Sequence, residues 1–329
     1  MWLIALLIVG GVSVLLGLQE AAALTVLTGL FVAAQAADLD PRLRPLYLVV
    51  SWIVPVTGAA TFAGLTWMLL QSDATGWLLV ALAGVAILGA LAALLSMLRP
   101  CSDALSLRLF RGDPPSHSSR LAARLVMLGL LLAFPAWYAL SDVTADLLAG
   151  PHSPLRKELL GSSLVGYVLL ALAAVGFLVR RDLRATLDRL GLRPLSGTDL
   201  AVAALGVVGL AVVNGGLELA QKALFPELWQ SDQRISQAIA SQLGPAQILL
   251  LGLSAGIGEE ITLRGALQPR LGIVVTSLLF AALHVQYSWF GMMVILVLGL
   301  ILGIIRKRTS TTVAMVVHAV YDVLAVFAT

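Results

Sequence analysis

Between Trp77 and Met97 the chain runs for 21 residues without a charged side chain. In a helix that length reaches ~30 Å, the thickness of a bilayer's hydrocarbon core. Leu159 to Val179 is a second uncharged stretch of the same kind. Runs like these do not fit the core of a soluble domain, and they predict membrane-spanning helices.

The composition agrees. Of 329 residues 59% are hydrophobic and 12% are charged, against roughly 45–50% and about 25% in a soluble domain. So little polar surface cannot cover a soluble fold of this length. The formal charge of +3 is small, and most basic residues stand in short loops beside apolar runs. They report topology and argue against a nucleic-acid surface. Cys101 is the single cysteine, which excludes an intrachain disulfide and a zinc site built from cysteines.

Hydropathy predicts an all-α, polytopic transmembrane helix bundle of about eleven spans. They are placed at Trp2–Leu18, Ala22–Ala37, Tyr47–Leu70, Trp77–Met97, Leu121–Leu140, Leu160–Val179, Leu200–Ala223, Ala246–Leu267, Ile273–Gln286, Phe290–Ile305 and Thr311–Phe327. No Lys or Arg precedes Trp2, so the first run reads as a retained span and not as a signal peptide. Basic residues fall on alternate loops: Arg42 and Arg44; Arg99, Arg108, Arg111 and Arg120; Arg180, Arg181, Arg184, Arg189 and Arg193; Arg270; and Arg306 to Arg308. The positive-inside rule makes that side cytoplasmic, with the N-terminus inside and the C-terminus outside. Arg156 and Lys157, on the other side, are the main exception.

One loop suggests an internal boundary. Leu183, Leu187 and Leu190 recur at helical spacing among charges, which suits a short interfacial helix ended by Pro194. The expected organisation is therefore an N-terminal membrane region at 1–181, a cytoplasmic connector at 182–199 and a C-terminal helix bundle at 200–329. The stretch Arg99 to Arg120 reads as merely polar.

Ionisable groups inside a bilayer are costly and mark function by default. Glu259, Glu260, Arg264, His284, His318 and Asp322 all lie in or at the ends of predicted spans, within the last 71 residues. The other two histidines, His117 and His152, lie in polar loops, and Arg124 and Glu218 sit near span ends where snorkelling accounts for them. Glu260 and Arg264 are spaced i, i+4 with the acid first, the favourable order for an ion pair. Glu259 is turned about 100° away and has no partner on its own segment, which suits a general base or acid. His318 and Asp322 share a face of the last span. Glu259 precedes the turn at Leu271–Gly272 by about as many residues as His284 follows it, so a helical hairpin sets the two at similar depth.

Gly258-Glu259-Glu260-Ile261-Thr262-Leu263-Arg264-Gly265 resembles the EExxxRG motif of the CAAX protease and bacteriocin-processing (CPBP) family, also called the Abi or type II CAAX prenyl endopeptidase family. Phe280 to His284 resembles its FxxxH motif, and His318 to Asp322 its HxxxN or HxxxD motif. The resemblance covers roughly Leu200 to Thr329. Leu263 stands where an aromatic residue is frequent, and Asp322 where asparagine is common.

The resemblance implies a membrane-embedded endopeptidase acting on a membrane-associated peptide or protein near the cytoplasmic leaflet of a bacterial cytoplasmic membrane. Glu259 and His284 would activate water, His318 and Asp322 would hold the oxyanion or the scissile carbonyl, and Glu260 and Arg264 would support the site. No cofactor is expected. A zinc ion on Glu259, His284 and His318 is the metal-dependent alternative, although no His-Glu-x-x-His signature is present. A different class of protein, one that gives immunity to a peptide toxin or handles ions or protons without catalysis, could use the same residues. Gly252-x-Ser254-x-Gly256 matches a nucleophile elbow only in letters, since it lies mid-span. Gly299 and Gly303 read as a helix-packing pair.

Overall fold

In a computed structural model the described residues are 1–16, 18–72, 75–110, 114–149 and 163–329, and they form helices with no β-strand among them. Arg111, His152, Arg156 and Lys157 lie outside the described residues. The helices are α1 (Trp2–Leu16), α2 (Gln19–Leu39), α3 (Arg44–Val50), α4 (Ile53–Gln71), α5 (Gly76–Leu95), α6 (Arg99–Leu109), α7 (His117–Ala149) and α8 (Ser163–Ala174). They continue as α9 (Leu183–Leu190), α10 (Gly197–Leu224), α11 (Pro226–Ala240), α12 (Pro245–Glu260), a π-helix (Ile261–Leu267), α13 (Gln268–Ala282), α14 (Trp289–Arg308) and α15 (Thr311–Phe327).

Among the described residues seven helical segments have the length and apolarity of a full membrane crossing, fewer than the eleven or so runs expected. Three more apolar helices are shorter, at Trp2–Leu15, Leu164–Ala174 and Thr311–Phe327. The longest segment, Pro245–Ala282, holds two of the expected runs. Gly272 divides it: its φ of 79° lies in the left-handed region that favours glycine, and the helix direction breaks there.

Three local expectations are corrected. Arg99 to Arg120 is not merely polar, because α6 forms within it, with Pro100 in its first turn and Asp103 ion-paired with both Arg99 and Arg120. The run from Tyr47 is interrupted at Ser51, whose hydroxyl donates to the Leu48 carbonyl just before α4 begins. Between the seventh and eighth expected spans lies α11, which hydropathy alone passed over because charged and apolar residues alternate along it.

Among the described residues four apolar cores hold the helices together. One joins Leu24, Phe31, Phe62, Leu82, Leu121 and Leu170, from α2, α4, α5, α7 and α8. A second joins Leu210, Val294, Leu302 and Val317, from α10, α14 and α15. The other two combine both sides of the 182–199 connector. Ala171 and Val175 pack with Leu190, Ile261, Ala266 and Met315, and Val126 packs with Leu263, Leu279 and Phe280.

The connector forms α9, with Asp182 accepting from the Ala185 amide at 2.8 Å and Gly191 closing the helix at φ 70°. Arg189 reaches down to donate to the Gly265 and Ala266 carbonyls, both at 3.1 Å, on the π-helix. Thr311 donates its hydroxyl to the Leu190 carbonyl at 2.6 Å. The segment is therefore joined to the π-helix that carries Arg264 and to the first turn of the helix that carries His318.

Candidate active site

Close helix approach assembles the site. Along α12, Gly252 and Gly256 face α15 with no side chain between: a Cβ on Gly256 would stand 2.6 Å from the Ala319 nitrogen. Small residues of this kind let membrane helices pack at backbone distance. The letters that mimic a nucleophile elbow thus serve packing. On α14, Gly299 performs the same service for Phe280, and Gly303 for Ile273.

That approach brings the end of α12 against α15. Glu260 and Arg264 are both fully buried, with Arg264 Nε 3.5 Å from Glu260 Oε2. Arg264 also donates from Nη2 to the Gly299 carbonyl at 3.0 Å, and its guanidinium carbon stands 4.9 Å from the centre of the Phe280 ring. Glu260 Oε1 lies 3.2 Å from His318 Nδ1, and His318 Nε2 lies 3.3 Å from Asp322 Oδ2. Glu260 is therefore shared between Arg264 and His318, whereas helix spacing alone pairs it with Arg264. His318 is held at both ring nitrogens by carboxylates from two helices.

His284 does not lie on a helix. It follows the end of α13 at Ala282, in the turn that leads to α14. Its Nδ1 sits 2.8 Å from the Phe280 carbonyl. A carbonyl only accepts, so Nδ1 carries the hydrogen and, in the neutral ring, Nε2 is left as the acceptor. The Phe280 ring lies edge-on to both histidines, with centroids 5.0 Å from His284 and 5.5 Å from His318.

A chamber of about 900 Å³ is lined by Glu259, His284, His318 and Asp322 together. Glu259 Oε2 is buried without a hydrogen-bond partner. Glu260 and Arg264 do not line the chamber and stand behind its wall. The chemistry available is a carboxylate facing a cavity, a histidine with a free acceptor nitrogen, and a second histidine fixed by two acids.

Sequence reasoning missed several residues that share the chamber. Tyr167 of α8 and Glu20 of α2 line it, hydrogen-bonded to each other, and the Tyr167 carbonyl accepts from Thr262 at 3.1 Å. Glu218, set aside as a span-end residue, lines it too. Asp232 of α11 is buried and accepts from the Ser288 amide at 2.6 Å, the Ser288 hydroxyl at 2.7 Å and Gln221 Nε2 at 2.7 Å. Ser288 caps α14, so Asp232 anchors the turn that carries His284. None of these residues belongs to a motif. An acid in the amphipathic stretch at 226–240 was the one available signal.

The residues present do not fit a zinc ion. Among the described residues no group of three or more His, Cys, Asp or Glu side chains is arranged to hold a metal. Both His318 nitrogens face carboxylates, and His284 Nδ1 faces a carbonyl. Structural zinc needs four ligands and catalytic zinc three with converging lone pairs.

The fold and site define a polytopic α-helical membrane protein with a glutamate–histidine centre buried among its last helices. The family profile described as "Type II CAAX prenyl endopeptidase Rce1-like" matches residues 241–324, which span all three motifs. The "Uncharacterized protein YpbD" of Bacillus subtilis (strain 168) is 30% identical over 164 residues, covering 49% of this chain and 82% of that protein. No solved structure matches the chain. The chain belongs to the CAAX protease and bacteriocin-processing family, whose Rce1-like members are intramembrane peptidases, and it is an integral membrane protein.

Proposed function

We propose that the chain is an intramembrane endopeptidase that hydrolyses a membrane-associated peptide or protein segment with water activated by Glu259 and His284. The single observation that carries this reading is the meeting of Glu259, His284, His318 and Asp322 on one chamber, with Glu259 Oε2 buried and without a hydrogen-bond partner. Glu259, with His284 Nε2 as a second acceptor, takes a proton from water as its oxygen attacks the scissile carbonyl carbon. Glu260 keeps His318 Nδ1, while the Nε2 hydrogen, which faces Asp322 in the resting site, turns to the oxyanion of the tetrahedral intermediate as it forms. The C–N bond then breaks, the proton passes from Glu259 to the leaving nitrogen, and a carboxylic acid and an amine result. Glu260 and Arg264 fix the ring of His318 from behind, and no metal ion takes part.

Residues 200–329 hold the catalytic groups, and the arginine-rich loops set the N-terminus inside and the C-terminus outside a bacterial cytoplasmic membrane. The test is hydrolysis of a quenched fluorescent membrane peptide by the purified full chain, read beside the Glu259→Gln variant. Cleavage by the wild type and its loss in the variant support the reading. Peptide binding without cleavage by either would favour a role in immunity to a peptide toxin.

A further inference from the structure

Apart from the two histidines of the catalytic centre, the ionisable side chains of the chamber wall are acidic. Glu20, Glu218, Asp232, Glu259 and Asp322 line it, and among the described residues no lysine or arginine does. Away from the catalytic centre the hydrogen-bond donors to Glu218 and Asp232 are neutral groups. Glu218 accepts from Trp229 Nε1 at 3.2 Å and Gln233 Nε2 at 2.5 Å, Asp232 from Gln221 and Ser288, and Glu20 from Tyr167. Such donors satisfy lone pairs without cancelling formal charge. Lys222 stands over the Trp229 ring at 4.5 Å and is not among the lining side chains.

The chamber also has a direction. Leu302, 1% exposed, lines its inner end, on the α14 side leading to Arg306. Ala328 and Thr329, which are exposed, line the opposite end, beyond the last turn of α15. Glu218 and Asp232 stand near this mouth, on the last turns of α10 and on α11. The mouth, taken as the exposed end of the lining, is thus at the end away from the basic turn at Arg306 to Arg308. Deeper in, Ser254 is 3% exposed, lines the chamber and has no hydrogen-bond partner for its hydroxyl, so the polar wall is incomplete without an occupant.

A cleft with low-dielectric walls and charge of one sign concentrates the opposite charge. We propose that the chamber selects a peptide segment carrying lysine or arginine on the side of the scissile bond nearer the mouth, and turns away one with an acidic residue or free C-terminal carboxylate there. The selection rests on the peptidase reading of the site.

The experiment uses the full chain in nanodiscs of uncharged phosphatidylcholine, so that lipid adds no preference of its own. Three synthetic peptides share one apolar helical core and differ in a flank of two Lys, two Gln or two Glu. The expected result is cleavage of the Lys peptide ~10-fold or more faster than the Glu peptide at low salt, with Gln between and the ratio shrinking as salt rises. Glu218→Gln should reduce that ratio, and Glu20→Gln provides a second variant if the first does not assemble. Equal rates for all three peptides overturn charge selection and leave the peptidase reading standing. If no peptide is cleaved, binding of fluorescent versions decides. Tighter binding of the Lys peptide upholds the selection while the peptidase reading falls, and charge-blind binding overturns it.

Discussion

His318 Nδ1 lies 3.2 Å from Glu260 Oε1, on helices whose backbones meet where Gly256 faces Ala319. The contact joins the first and third motifs, and its geometry depends on the absence of a side chain at Gly256.

Gly256→Val therefore places atoms where the Ala319 backbone already stands, and backbone cannot turn aside as a side chain can. Overpacking of this kind costs about 1–3 kcal/mol or more. A fall in the thermal midpoint of the purified protein and loss of turnover are expected. Gly209→Val on α10, where a Cβ would meet nothing within 4 Å, should leave both near wild type. Equal effects of the two changes would dissociate the site from this helix contact.

The adjacent glutamates should respond differently. Glu259 faces the chamber and Glu260 holds Arg264 and His318 behind it. Glu259→Gln should lower kcat by ~10²–10⁴ with little change in stability. Glu260→Gln leaves the fully buried Arg264 short of a countercharge, an effect on the order of 3–5 kcal/mol in buried pairs, so the thermal midpoint should fall more than with Glu259→Gln. Paired melts and single-turnover rates measure this, and a stable, active Glu259→Gln protein contradicts the assignment.

Asp232→Ala removes the acceptor of the Ser288 amide and hydroxyl and frees the turn behind His284. A buried donor left unpaired costs about 1–3 kcal/mol. Faster amide hydrogen exchange over residues 284–291, with a lowered kcat, is expected. Unchanged exchange there would mean that α11 does not hold the turn.

Treatment with 1,10-phenanthroline should leave turnover unchanged, because the donor set does not converge on a metal. Loss of activity on chelation and its return on adding zinc would instead make Glu259 a metal ligand or the base beside one.

The motif residues were legible because the bilayer makes them conspicuous. A carboxylate or histidine amid apolar runs has few structural uses, and the i, i+4 spacing of Glu260 with Arg264 and of His318 with Asp322 appears as contacts at 3.5 and 3.3 Å. The turn at Leu271–Gly272 was legible for the same reason, as a glycine between two apolar runs. What was not legible depends on long-range neighbours. His284 stands past the end of its helix because α13 stops at Ala282 and Asp232, 56 residues earlier in sequence than Ser288, holds the turn. Tyr167 and Glu20 reach the chamber through the packing of α2 and α8, and nothing in their local sequence announces it. α6 and α11 were lost because their polar and apolar residues alternate too finely for a hydropathy window.

Helix α8 belongs to two cores at once. Leu170 and Ala173 are set among the N-terminal helices, while Ala171 and Val175 pack against the connector, the π-helix and α15. A helix gripped on both sides transmits disturbance from either, so the first and last parts of the chain are expected to melt in one transition. The C-terminal bundle is in this sense not a detachable cartridge. Excising it would remove Tyr167 and Glu20 from the chamber wall and leave the apolar back of the π-helix facing lipid.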